Sequence, residues 1–137
     1  MMESKVINVR EGDSNFLKVF DLWWDGHGQE RVPVGFLPKC GVMAEQNGCP
    51  VAVTWLYMDN SIGAAWVAWL TTKPGLKGKE SVRVLNYLLE SVEEVADEFD
   101  YKLLFTMAQG RGLQSWFKRR GFIENHSGMS QLFKSLK

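Results

Sequence analysis

Lys73, Lys77, Lys79 and Arg83 gather around Gly75 and Gly78, between an apolar run (residues 64–71) and an amphipathic run that begins near Ser81. The chemistry of such a cluster is anion binding. A strand that stops where a helix begins leaves unpaired backbone N–H groups at one point and aims the positive helix end outward. Phosphate is the natural guest there. Other reactive groups are sparser. Glu45, on a central strand, is the carboxylate best able to take a proton from an ammonium group, against the simpler reading of an edge-facing, solvated glutamate. His126 reads as a surface loop residue rather than a base. His27 and His126 stand apart from each other and from both cysteines, so no metal-ligand spacing exists.

The elements that must position these groups follow from periodicity. Residues 5–9 (KVINV) alternate as a first strand. Asp13 or Ser14 then caps a helix whose apolar face holds Phe16, Leu17, Phe20, Leu22, Trp23 and Trp24, ended by Asp25-Gly26-His27-Gly28. Residues 29–39 carry Pro33, Gly35 and Pro38 and read as loop with at most a helical turn. Asn47-Gly48 between residues 42–46 and 50–58 is a strong hairpin signal. Asp59 to Gly63 makes a second turn, and residues 64–71 form another strand. In these strands both alternating faces are apolar, with Trp66, Ala68 and Leu70 against Ala65, Val67 and Trp69, as in a sheet covered on both sides.

After Ser81, Val82, Leu85, Leu88, Leu89, Val92, Val95, Ala96 and Phe99 recur at helical spacing, while Glu90, Glu93, Glu94, Asp97 and Glu98 form a solvated outer face. Residues 101–108 (YKLLFTMA) read as a strand. A short helix over residues 110–120 buries Leu113, Trp116 and Phe117. Gly121-Phe122 leads into a final strand, with Ser130 to Phe133 in one more.

The composition sets outer bounds. A chain of 137 residues is expected to form one domain over its whole length. Basic and acidic residues balance at 16 each, so no general attraction to nucleic acid or anionic membrane exists. Lys118-Arg119-Arg120 then reads as the favourable end of a helix rather than a nucleic-acid patch. The first residues lack a signal peptide's apolar core, and no apolar run is long enough to span a bilayer. The expectation is a soluble, cytoplasmic protein, in host cytoplasm if phage-encoded. Across the hairpin Gln46 falls opposite Cys49, which leaves Cys40 six residues along the strand, roughly 20 Å away at about 3.3 Å per residue. That exceeds disulfide reach. Two free thiols are expected.

Strand 64–71, helix 81–99 and strand 101–108 make a parallel β-α-β unit, and the tightly turned earlier strands are antiparallel. The predicted class is α+β, with a mixed, mostly antiparallel sheet between helices. Ligands in such sheets collect beyond the C-terminal strand ends, here residues 70–81 and 108–110.

This order of elements resembles the GNAT superfamily of acyl-CoA-dependent N-acetyltransferases over nearly the whole chain. VINVREGDSNFLKVF is similar to the family's first strand and helix. TTKPGLKGKESVRVLNYLL stands where the family has its pyrophosphate loop, R/Q-x-x-G-x-G/A, and QSWFKRRGF resembles its late helix ending. The resemblance implies an α/β/α sandwich and acetyl-CoA as cosubstrate. The cosubstrate would lie between the parting strands, on the backbone of Leu70 and Thr71 with a contact from Gln109. Its pyrophosphate would lie on Lys77, Gly78, Lys79, Glu80, Ser81 and Val82. A substrate amine would attack the thioester directly, with a backbone N–H near Leu70 stabilising the oxyanion. The sequence also departs from the pattern. Glu80 and Val82 replace small residues, and Phe117 stands where many members carry a tyrosine that protonates the leaving thiolate.

The resemblance implies an acetyltransferase acting on an amine, small molecule or protein. The alternative is a catalytically inactive GNAT-fold binding or assembly protein, similar to small motif-eroded bacteriophage members, including virion-associated ones. The acceptor would be shaped by residues 23–39 and 42–58, where Trp23 and Trp24 can wall a groove or fill the core. The final strand can pair with a second copy in a homodimer.

Overall fold

Both residues of the Asn47-Gly48 turn are left-handed, with φ of 52° and 81°, the type I′ geometry that joins two twisted strands. The turn sets Gln46 opposite Cys49. A computed structural model describes residues 1–136. Five strands, β1 (Met2–Ile7), β2 (Cys40–Gln46), β3 (Cys49–Asp59), β4 (Ala64–Thr72) and β5 (Leu103–Thr106), form one sheet in sequence order. Neighbours are antiparallel from β1 to β4, and β4 and β5 are parallel. A parallel pair needs a crossover, which α2 (Gly78–Glu98) supplies; α1 (Phe16–Gly26), a 3-10 turn at Val34–Phe36 and α3 (Arg111–Arg119) complete the elements. The fold is the α+β arrangement with a mixed, mostly antiparallel sheet. Residues Met1–Thr106 form one compact unit holding the whole sheet, and a second unit, containing α3, begins at Met107.

Side chains alternate across a sheet, and here both faces are buried. Met43, Val53, Trp55 and Ile7 join Phe20, Trp23 and Trp24 of α1 in one cluster with Val32 and Leu37. Phe20 meets Trp55 edge-on at 5.6 Å, and Trp24 stacks on it at 5.9 Å. Trp23 and Trp24 are therefore core, not the wall of an open groove. Gly41 is required beneath them, because a Cβ there would stand 2.9 Å from Trp55 Nε1. Val42, Ala44, Ala52 and Leu56 are equally buried and face the other way, where α2 packs on β2 and β3.

The structure corrects several expectations. Neither Asp13 nor Ser14 caps α1: Asn15 holds the N-cap position without a side-chain cap bond, and Asp13 Oδ2 instead accepts the Asn8 N–H at 2.8 Å. Helix α2 starts at Gly78 rather than Ser81, and its buried stripe runs through Val84, Leu88, Val92 and Val95. Val82, two residues from Val84, is turned about 200° away and is exposed. Phe99 is exposed because it falls past the last turn. The strand expected over 101–108 is only Leu103–Thr106.

No strand follows α3 among the described residues, so the strands expected after Gly121-Phe122 and at Ser130 to Phe133 are not formed. Ile123, Met129 and Leu132 there are exposed. An alternating run gains strand structure only by packing against neighbours.

Candidate functional site

Pairing of β4 with β5 ends at Val67 and Thr106, where Thr106 Oγ1 donates to the Val67 carbonyl at 3.0 Å. Residues 68–72 of β4 continue without a β5 partner. On its other edge β4 stays with β3 but carries a bulge: Trp55 pairs with Ala68 and Val53 with Thr71, so Trp69 and Leu70 together oppose Thr54. The bulge ends the simple alternation. Trp69 joins the Trp55 side of the sheet instead of the opposite one.

Trp69 has φ of 59°, a conformation rare for a bulky residue that costs about 1–3 kcal/mol. Three contacts hold it. Its Nε1 donates to Tyr57 Oη at 2.6 Å, its ring lies 6.4 Å from that of Phe36, and Tyr57 donates in turn to the Phe36 carbonyl. Thr54 Oγ1 fixes the start of the bulge by donating to the Ala68 carbonyl at 2.8 Å. Leu70 is half-buried. Thr71 is 4% exposed, and its Oγ1 is a buried hydroxyl without a hydrogen-bond partner.

Beyond β4 the chain turns back quickly. Lys73 N–H donates to the Val51 carbonyl at 2.8 Å, and Lys77 is extended before Gly78 opens α2 with φ of 54°. No side chain caps this 21-residue helix; the Glu80 N–H donates to the Lys77 carbonyl at 3.2 Å, and the positive helix end faces outward for a ligand. Lys77, Gly78, Lys79, Glu80, Ser81 and Val82 are together at this helix end. From Gly78 onward they are the first helical turns rather than a loop. Lys77 and Lys79 are exposed and outnumber Glu80. The set fits a diphosphate.

The far end of α1 meets the same place. His27 Nε2 lies 2.8 Å from the Thr72 carbonyl; a carbonyl only accepts, so Nε2 is the donor in this bond. A Cβ on Gly26 would stand 2.6 Å from Pro74 Cγ. Sequence reasoning missed His27. Its partner is 45 residues away, and a lone histidine after a helix gives no signal of such a contact.

Other expected site residues fall elsewhere. Glu45 is not edge-facing or solvated: it is 6% exposed and ion-paired with Lys5 Nζ at 3.1 Å, tying β1 to β2. Gln109 belongs to the second unit, exposed and just before Gly110, whose φ of 85° precedes α3. Within that unit Gln114 Nε2 donates to the Ala108 carbonyl at 3.0 Å, and Phe117 packs edge-on against Trp116 and Phe122 at 4.8 and 5.0 Å. Both cysteines are free; burial pushes the Cys40 thiol pKa up, while Cys49 is exposed. Among the described residues no three His, Cys, Asp or Glu side chains gather as metal ligands, and no helix is long and apolar enough to cross a membrane.

The same architecture recurs in solved acetyltransferases. An aminoglycoside acetyltransferase from an uncultured soil metagenomic sample superposes with a TM-score of 0.74 at 10% identity, over 98% of this chain and 99% of that one. The ribosomal-protein-alanine N-acetyltransferase of Brucella melitensis gives 0.64 at 14%, over 98% and 99%. N-acetylglutamate synthase from Neisseria gonorrhoeae, complexed with coenzyme A and N-acetyl-glutamate, gives 0.64 at 16%, over 88% of this chain and 28% of that longer one. No family model and no curated protein matches the sequence. The chain has the GNAT acetyltransferase fold.

Proposed function

We propose that this protein is an N-acyltransferase that moves an acetyl group from acetyl-CoA to an amine. One observation carries the reading: the unpaired edge of β4 over residues 68–72 runs to the uncapped N-terminus of α2. An extended chain bearing amides, such as the pantetheine arm, adds to such an edge as a strand would. The backbone of Leu70 and Thr71 would hold the arm. Lys77, Gly78, Lys79 and Ser81 would hold the diphosphate, with Glu80 opposing and Val82 at the rim. The acyl end then lies toward Ala68, where a backbone N–H of the bulge near Leu70 faces the developing oxyanion.

The reaction needs no covalent nucleophile. The neutral amine attacks the thioester carbon, the C–S bond breaks, and the thiolate leaves. Glu45 is occupied by Lys5, so the ammonium proton goes to solvent. Phe117 has no exchangeable proton, so the thiolate takes one from solvent or from the amine product. The fold's occurrence in a synthase complexed with coenzyme A supports this cosubstrate.

Isothermal calorimetry with acetyl-CoA and CoA tests the reading. Saturable binding is expected, weakened about tenfold or more by Lys77→Glu with Lys79→Glu, or at least ~1.4 kcal/mol. No heat and no thermal shift at millimolar ligand sinks it. Glu80 in the first turn of α2 favours the second reading, a binding protein without catalysis. Tight CoA binding with no transfer to any amine would select that one.

A further inference from the structure

Three aromatic residues form a row across β3, β4 and β5. Tyr57 pairs with Trp66 and Trp66 with Phe105, so their side chains share a face. The Trp66 and Phe105 rings stack at 5.6 Å with planes 18° apart. The next row toward the sheet end is Asp59, Ala64 and Leu103. The step from an indole to the methyl group of Ala64 opens a groove of about 290 Å³, bounded by Ile62 of the adjoining turn. Trp66 is 37% and Ile62 68% exposed. Tyr57 is fixed by its bonds to Phe36 and Trp69, so this wall is rigid.

The polar side of the groove is anionic. Asp59 Oδ1 accepts from the Ser61 N–H and Oγ–H at 2.8 and 2.7 Å. These bonds hold the carboxyl below its usual range, and Oδ2 is left to accept from a ligand. Lys102, whose N–H bonds the Gly63 carbonyl, has its ammonium on Asp100 at 2.8 Å. That pair cancels, and the Asp59 charge stands.

We propose that this groove binds a small organic ammonium ion with an aromatic or apolar body, its body on the Trp66–Phe105 platform and its nitrogen at Asp59. The volume suits a small amine, at the low end of ligand pockets. Aromatic faces attract cations as well as apolar surface. The row lies one residue before Val67 and Thr106, where β4 and β5 part. The nitrogen at Asp59 is opposite Ala64, four residues of β4 before Ala68, so it is held about 13 Å from the acyl end of a chain laid along residues 68–72. The site is therefore separate from the acyl-transfer reading above, and the binding does not rest on it.

Calorimetry without acetyl-CoA tests the site, using phenethylamine, its neutral analogue 2-phenylethanol and the anion 3-phenylpropionate. Saturable 1:1 binding of phenethylamine is expected, about tenfold or more tighter than the alcohol, with the anion silent. Asp59→Asn, which keeps an oxygen for Ser61, should abolish the preference for the amine. Trp66→Ala should weaken amine and alcohol alike. Absence of amine binding, equal binding of the alcohol, or an unchanged preference in Asp59→Asn overturns the proposal. Thermal melts of both variants confirm that they fold. CoA binding without amine binding removes this site and leaves the acyl-transfer reading; amine binding without CoA binding does the reverse.

Discussion

At the scale of single residues, charge and burial assign roles that residue type alone left open. Glu45 read as a candidate base, yet its carboxylate is buried against Lys5, whose ammonium is half exposed. Glu45→Gln should therefore lower stability by about 1 kcal/mol, the size of a lost charge-assisted bond partly screened by water, while leaving any acyl transfer nearly unchanged. Urea denaturation beside an activity assay decides it, and a large loss of turnover at full stability would return Glu45 to catalysis. The thiols separate in the same way. Cys49 is exposed, whereas burial raises the pKa of Cys40, so a thiol reagent at neutral pH should label Cys49 first, as peptide mapping would show. Asp25 gives a pH signature. The two Arg31 hydrogen bonds, at 3.0 and 2.7 Å, lower its folded pKa. A group with a depressed folded pKa contributes stability above its unfolded pKa, about 3.9, and loses it as pH falls through the folded one. Arg31→Gln should lower the melting temperature at neutral pH and flatten the acid limb below about pH 4, so that variant and parent converge in acid.

At the scale of elements, what the sequence made legible was what short-range chemistry decides. Asn47-Gly48 specifies its own turn and, through it, the register of β2 and β3. The helical period of α2 survives because Val84, Leu88, Val92 and Val95 need only each other's spacing to form a stripe. The bulge at Trp69 and Leu70 was not legible. It depends on one extra residue of β4 against β3, and its positive φ is held by Tyr57 and Phe36 from other parts of the chain. The burial of Glu45 likewise requires β1 to supply Lys5, and the place of His27 requires the end of β4. The core sets a sharp test at this scale. Gly41 lies beneath Trp55 with a notional Cβ at 2.9 Å from Nε1 and 3.0 Å from Ile7 Cγ1. Gly41→Ala should destabilise by about 1–3 kcal/mol through overpacking, with α1 displaced from the sheet. A variant as stable as the parent in urea would mean that α1 does not seat against Trp55.

At the scale of the whole molecule, the balance of charge bears on what the protein binds. Lysine and arginine equal aspartate and glutamate, so no long-range field draws a polyanion in. The one basic run, Lys118-Arg119-Arg120, lies at the end of α3, where cations meet the helix's negative pole. Lys118 is already engaged with Glu124 at 2.7 Å. Two arginines remain, too few for the counterion release that drives non-specific binding, since the affinity gained scales with the number of phosphates neutralised. The basic residues at the α2 end suit a single diphosphate rather than a continuous backbone, because Glu80 interrupts them within the same turn. The solvated face of α2, with Glu90, Glu94, Asp97 and Glu98 exposed, would repel a nucleic acid that reached it. A gel shift with duplex DNA and single-stranded RNA at about 50 mM salt, where electrostatic binding is strong, should therefore show no retardation at micromolar protein. Retardation that vanished in the double variant Arg119→Glu, Arg120→Glu would show instead that a local patch overrides the neutral whole.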